Sequence, residues 1–98
     1  MTVKILIKRQ FKDGALKDAH EMLTQARINA MGFKGYISSE TLSGCDNPNK
    51  VNVLSLWQNK EAWDLYAKSD VRKENENKYA NVLENPTEYE TFILGMQM

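Results

Sequence analysis

Hydrophobic and polar residues alternate along four segments of the chain, and this period of two is typical of β-strands that bury one face. The four segments are residues 3–11, 35–42, 51–57 and 87–96. In the first, Val3, Ile5 and Ile7 share one face, which we predict to be the drier one. A loop rich in turn-forming residues, 43–50, separates the second and third segments, so we predict that these two form a hairpin.

Apolar residues recur at steps of three and four in two other regions, which is the pattern of amphipathic helices. The first helix is predicted over residues 15–30, where Gly32 and Gly35 end the pattern. Asn59 is predicted to cap a second helix, and Ser69 or Asp70 to cap its continuation as far as Leu83. Residues 85–86, Asn-Pro, disfavour further helix.

The predicted order of elements is βαββαβ, which favours a single α+β domain over residues 1–98 with the ferredoxin-like fold. In this fold both helices pack on one face of a four-stranded antiparallel sheet. The third strand carries Val53 and Trp57 on one face but Leu54 and Leu56 on the other. Because the helices cover only one face, we expect a homodimer through the sheet face, forming a dimeric α/β barrel.

Composition narrows the classes of partner. The 98 residues contain 13 basic and 13 acidic side chains, so a nucleic-acid partner is not expected. No apolar run approaches the length of a membrane span, and the first residues enter a strand pattern directly, so we expect a cytoplasmic protein and no membrane partner. The lone Cys45 supports neither a disulfide framework nor a cysteine-based metal site.

Aromatic residues dominate the stretch that runs from the third strand into the second helix. Trp57, Trp63 and Tyr66 are candidates for the wall of a substrate pocket, and Tyr36 and Tyr89 can contribute further hydroxyl groups. The alternative is that these rings only pack the core, as aromatic residues at such spacings commonly do. Both interpretations stay open.

Polar residues give weaker indications of chemistry. His20, the single histidine, lies at the edge of the apolar stripe of the first helix, either facing solvent or facing a ligand. Glu74 and Glu76 are interpreted as part of a solvated helix face, and no metal site is predicted. No residue is assigned as the catalytic base.

The order of elements and the stretch "VNVLSLWQNKEAWDLYAKSDVRKE" together resemble the antibiotic biosynthesis monooxygenase family of small dimeric α/β-barrel proteins. The glycine before "ALKDA" and the "GY" that enters the second strand belong to the same resemblance. It implies oxidation of electron-rich phenolic or polyketide-like substrates without metal or flavin, so no cofactor is expected. The pocket would exclude water, hold an aromatic ring and stabilise an anion.

The resemblance also sets expectations at individual positions. A quinone-forming branch has an asparagine, a tryptophan and a tyrosine where this chain has Val53, Trp57 and Trp63, so one of the three is retained. Asn52, next to Val53, points to the opposite face of its strand and does not replace the asparagine. A haem-degrading branch requires an asparagine, a tryptophan and a histidine at positions that align here with Ile7, Tyr66 and Glu76.

Three functions are therefore considered. A cofactor-independent monooxygenase acting on a small aromatic or quinol-like substrate is favoured. A non-enzymatic dimeric barrel that binds a small hydrophobic metabolite is the alternative, and the missing asparagine supports it. Haem degradation is less favoured, because the position of the iron ligand holds Glu76.

Overall fold

The computed structural model describes residues 1–97 and confirms the βαββαβ order, with the second helix divided in two. The elements are β1 Val3–Gln10, α1 Leu16–Met31, β2 Tyr36–Ser43, β3 Lys50–Trp57, α2 Lys60–Ala67, α3 Asp70–Lys78 and β4 Glu88–Ile93, with a short 3₁₀ turn at Ala80–Val82 before the last strand.

The four strands form one antiparallel sheet in the order β2-β3-β1-β4, so β1 and β3 occupy the centre. Residues alternate between buried and half-buried along β1, with Val3, Ile5 and Ile7 buried beneath the helices. The alternation predicted from the sequence is therefore confirmed. The ferredoxin-like fold follows from this strand order and from the two crossover connections.

The core between the sheet and the helices has two parts. One is an aromatic cluster around Trp57, Trp63 and Tyr66. The other packs Phe11 of the β1 end against Met22 of α1 and Leu83. Gly35 lets the chain pass close to α2, because its φ is +96° and an added Cβ atom would lie 2.5 Å from the Cβ atom of Ala62.

Two of the predicted helix caps are present. The Asn59 side chain accepts a hydrogen bond from the Ala62 amide at the start of α2. Ser69, rather than Asp70, caps α3: its hydroxyl donates to the Tyr66 carbonyl and accepts from the Arg72 amide. Because Ser69 closes one helix and opens the next, α2 and α3 are separate helices.

Two predicted bounds are wrong at their carboxyl ends. The helical continuation was expected to reach Leu83, but α3 ends at Lys78, and a 3₁₀ turn follows. The last strand was expected to reach Met96, but pairing with β1 ends at Ile93, and Gly95 has a positive φ of 89°. In both cases the sequence stays apolar beyond the point where the backbone leaves the regular hydrogen-bonding pattern.

The second face of the sheet has no helix over it among the described residues. Leu6, Leu54 and Leu56 are half-buried at its centre, and Phe92 beside them is 49 % exposed. Lys8 forms ion pairs with Glu88 and Glu90 at one edge. We call this surface the outer sheet face. Within residues 1–97, no helix is long and apolar enough to cross a membrane.

Candidate functional site

A cavity lies between the inner face of the sheet and the helices α1, α2 and α3. The space inside it measures about 60 Å³, and it is partly open to solvent. On a comparable measure one water molecule needs about 10–15 Å³ and a cavity that holds benzene about 150 Å³, so the space is roughly that of a few water molecules. Its wall is mixed: aromatic rings and aliphatic groups surround a small set of arginine, carboxylate and hydroxyl groups.

Four of the six predicted site residues line this cavity: Tyr36, Trp63, Tyr66 and Tyr89. They come from β2, α2 and β4, so the fold brings together residues that are up to 53 positions apart in the chain. The Trp63 ring lies 5.8 Å from the rings of both Tyr66 and Tyr89, measured between centroids. These rings form a continuous aromatic wall.

Trp57 lies behind that wall and does not line the cavity. It is fully buried, and its ring stacks against Tyr66 with centroids 5.4 Å apart. Its indole N–H donates to the Ser55 hydroxyl at 2.7 Å, so its polar group is satisfied inside the core. Trp57 therefore supports the position of the wall rings.

His20 lies on the exposed side of α1, outside the cavity. The stripe of α1 that faces the sheet is instead carried by residues such as Ala19 and Met22, which are buried. Leu23, Ala26 and Arg27 of α1 line the cavity. His20 therefore does not contribute to the wall of this cavity.

The polar part of the cavity is a connected network on β1, α3 and β4. Arg9 donates to Glu76 Oε1 through Nη2 at 2.5 Å, and the two side chains are 4 % and 16 % exposed. Thr87 donates to Glu76 Oε2 at 2.8 Å, and the Tyr89 hydroxyl donates to Oε1 at 3.3 Å. Arg72 donates to the Tyr89 hydroxyl at 2.8 Å, so Arg9, Glu76, Tyr89 and Arg72 form one chain of contacts.

The interpretation of Glu76 as part of a solvated helix face is wrong. Glu74 is exposed, whereas Glu76, two residues later on α3, turns towards the sheet and meets Arg9. Asn75 between them is buried and donates to the Met22 carbonyl, which fixes α3 against α1. This bond orients α3 so that Glu76 faces the cavity.

Arg9 was missed as a site residue, although the sequence contains a signal for it. It continues the inward series Val3, Ile5, Ile7 at the next alternate position, where a charged residue has to find a partner or remain costly. Its Nε atom is buried without a partner among the described residues. A charged residue at an inward-facing position of a strand thus indicates either an ion pair or a functional group.

Burial raises the pKa of the Tyr66 phenol from 10.0 to about 12, chiefly because the phenolate would lose its hydration. The pKa of Tyr89 is raised for the same reason, and the charge of Glu76 adds to the effect. Both hydroxyls are therefore protonated at neutral pH. Tyr66 donates to the Ala26 carbonyl at 3.3 Å, and Tyr89 donates to Glu76.

The arrangement offers a small, mostly apolar space next to cationic groups, and the edge of an aromatic ring can enter it from the open side. Arg9 and Arg72 can stabilise negative charge that develops on a ligand, because electrostatic interactions strengthen where water is excluded. Among residues 1–97, no three metal-ligating side chains come together. Val53 and Ile7, at positions where related branches are expected to carry asparagine, both line the cavity.

The chain was compared with curated protein sequences and with solved structures. No curated protein matches its sequence. Among solved structures, a conserved protein from Methanosarcina mazei Go1 superposes with a TM-score of 0.85 at 18 % identity, covering 94 % of this chain and 91 % of that one. SnoaB, a cofactor-independent oxygenase from Streptomyces nogalater, gives 0.85 at 11 % identity, covering 99 % and 96 %.

Rv0793 from Mycobacterium tuberculosis also gives a TM-score of 0.85, at 11 % identity, with 99 % of this chain and 98 % of that one covered. At such identities these similarities establish the fold. The family model for antibiotic biosynthesis monooxygenase matches residues 2–74, which include β1, the aromatic stretch and Arg72. The chain is a member of the antibiotic biosynthesis monooxygenase family.

Proposed function

We propose that this protein is a cofactor-independent monooxygenase that oxidises a small aromatic, phenol-like or quinol-like substrate with O2. The observation that carries the proposal is the cavity in which an aromatic wall meets the buried pair of Arg9 and Glu76. Family membership supports it, and so does the similar fold of SnoaB, a cofactor-independent oxygenase.

In the proposed reaction the substrate supplies all the electrons. A phenol loses its hydroxyl proton, and the electron-rich ring carbon para to the oxygen bonds to one atom of O2, so that a peroxide forms. The peroxide takes up a proton and its O–O bond breaks as the ring carbon loses hydrogen, giving a carbonyl group and water. The net change is one phenol plus O2 to one para-quinone plus water.

The residues of the cavity would contribute to this reaction by holding the substrate in place and by stabilising negative charge. Trp63 and Tyr66 would hold the ring, and the positive charges of Arg9 and Arg72 would favour an anionic substrate. Tyr66 and Tyr89 are protonated at neutral pH, so they are donors rather than bases. Glu76, the cavity's carboxylate, is already held by three donors, so we expect an acidic substrate that ionises easily.

Oxygen uptake tests the proposal. Purified, metal-stripped protein is mixed with phenols of increasing size, namely naphthols, dihydroxynaphthalenes and anthrones, and uptake is compared with the spontaneous background. Trp63→Phe changes the wall, whereas Tyr79→Phe is a matched control, since Tyr79 packs in the other part of the core. We expect saturable uptake that falls about tenfold or more in Trp63→Phe and is unchanged in Tyr79→Phe.

Small substrates are expected to react faster than anthrones, because the cavity is small. Product analysis should give one water and one quinone per O2 consumed. Uptake equal to the background for every compound, with protein that is folded by circular dichroism, would refute a monooxygenase function.

A binding function without catalysis is the second candidate. It is favoured by the engagement of Glu76 with three donors and by Val53 in the cavity wall, because neither residue is available as a proton acceptor. Mass spectrometry of the native protein would then find a small hydrophobic compound that is bound and released unchanged. Conversion of the released compound during incubation with O2 would argue for the enzyme.

We also propose that two copies of the chain pair through the outer sheet face. Its centre is apolar, at Leu6, Leu54 and Leu56, and charged residues surround it, which is typical of an interface. Leu54→Glu should give monomers in sedimentation experiments. Leu65→Glu is the matched control, because Leu65 is 70 % exposed on α2 and far from this face. Dimers that persist in Leu54→Glu, or a wild type that is monomeric, would contradict the proposal.

A further inference from the structure

The cavity network has an imbalance of charge. Arg9 and Arg72 carry two positive charges, and Glu76 carries one negative charge, so the sum over the connected groups is +2 − 1 = +1. Within the described residues, Arg72 forms no ion pair: it donates to the Ala67 carbonyl and to the Tyr89 hydroxyl, which are neutral acceptors. An additional anion next to the network would balance it.

The excess positive charge lies partly inside the protein, next to the aromatic wall. Arg9 is 6 % exposed, so water and salt screen its charge far less than they screen the charge of a surface arginine. Arg9, Arg72, Trp63 and Tyr89 all line the same cavity, so the excess positive charge lies beside the aromatic wall. Arg27 lines the cavity as well, but it is exposed, so solvent and salt screen its charge. A ligand that fits both features has an aromatic ring and an attached anionic group.

We infer that the cavity recognises an aromatic carboxylate, with the ring against Trp63 and the carboxylate beside Arg9 and Arg72. This inference rests on the proposed role of the cavity as the substrate site and adds the class of substrate. A carboxylate is favoured over a neutral polar group because the planar guanidinium group donates two parallel hydrogen bonds to it. The carboxylate also keeps its charge throughout the neutral pH range.

Binding of matched aromatic compounds tests the inference without O2 or turnover. Fluorine NMR titrations at pH 7 would compare para-fluorobenzoate with para-fluorobenzamide, which has nearly the same shape but no charge. We expect the benzoate to bind about tenfold or more tightly than the benzamide, as charged hydrogen bonds in a poorly hydrated site predict. The difference should shrink when salt is added, because Arg72 is only half-buried, and the part that remains should come from the buried Arg9.

Three variants identify which cationic side chains are responsible for the preference for benzoate. Arg72→Met removes one cation and leaves the pair of Arg9 with Glu76 intact, so we expect it to fold and to lose most of the preference for benzoate. Arg9→Lys keeps the charge but loses the planar fork, and we expect a partial loss. Lys73→Met is the matched control, because Lys73 is the exposed neighbour of Arg72 on α3, and it should retain the preference.

The inference is overturned if benzamide binds as tightly as benzoate, or if neither compound binds at millimolar concentration. It is also overturned if Arg72→Met and Arg9→Lys both keep the full preference. Oxygen uptake decides the proposed function independently: a protein that prefers benzoate but oxidises no phenol would have the inferred site without the proposed activity.

Discussion

Removal of the Arg9 side chain tests the network most directly through stability. In the Arg9→Met variant, methionine replaces the aliphatic stem of the arginine but leaves Glu76 without its cationic partner. The Glu76 side chain is 16 % exposed, so its charge stays largely out of water. Glu76 keeps two neutral donors, Thr87 and Tyr89, which reduce the penalty but do not remove it.

Loss of one partner from a buried ion pair typically costs about 3–5 kcal/mol. Because two hydrogen bonds to Glu76 remain, we expect the low end, about 3 kcal/mol in the free energy of unfolding. A domain of this size commonly has about 5–15 kcal/mol in total, so the variant should fold with a clearly lowered denaturation midpoint. Glu76→Gln should destabilise by a comparable amount, since it leaves Arg9 buried and unpaired.

Urea denaturation of the two single variants and the double variant measures the coupling free energy between Arg9 and Glu76. The double variant should be about 1–3 kcal/mol more stable than the sum of the single effects predicts, because no isolated buried charge remains. Lys60→Met, which breaks the exposed pair with Asp64, is the control and should cost less than about 1 kcal/mol. Additive effects of Arg9→Met and Glu76→Gln would refute the buried coupling described above.

Three further outcomes follow from other parts of the structure. The Tyr66 phenol should titrate near pH 12 in absorbance measurements. Its contribution to stability should be present below pH 10 and be lost as the pH rises from 10 towards 12, because the unfolded chain ionises first. Tyr66→Phe should reduce this loss, and Tyr89, whose pKa is also raised, should account for a remainder. Asn59→Ala should lower the free energy of unfolding by about 1 kcal/mol in urea denaturation, since α2 loses its cap. Gly35→Ala should destabilise more than Gly14→Ala in thermal melts: both glycines have positive φ, but only at Gly35 would the new methyl group meet Ala62. A cap variant without effect, or equal melting temperatures for the two glycine variants, would contradict these explanations.

Much of the fold was predictable because it depends on local patterns. Alternation along β1 and the cap at Asn59 identified elements whose bounds agree with the structure within one or two residues. The ends of α3 and β4 were not predictable in this way. Hydrophobic periodicity continues through Leu83 and Leu94, whereas α3 ends at Lys78, Leu83 forms a bridge with the distant Phe11, and Gly95 has a positive φ.

The site was predictable only in part. Hydrophobic patterning shows which face of a helix or strand a side chain occupies, but it does not show how deeply the side chain is buried or which residue it contacts. Trp57 and Trp63 were both candidates for the pocket wall, yet Trp57 lies behind the cavity wall and Trp63 lies in it. Arg9 and Glu76 are 67 positions apart, and no local signal joins them. Their pairing depends on how α3 packs on α1, which the sequence specifies only through long-range contacts such as that of Asn75 with Met22.

Oxygen consumption by the metal-stripped protein with naphthol, dihydroxynaphthalene and anthrone substrates is the most direct test that the cavity is the reaction site. We expect saturable uptake above the spontaneous rate, one quinone formed per O2, and a loss of rate in Trp63→Phe but not in Tyr79→Phe. Uptake at the background rate in the wild type, or equal rates in the wild type and Trp63→Phe, would contradict it.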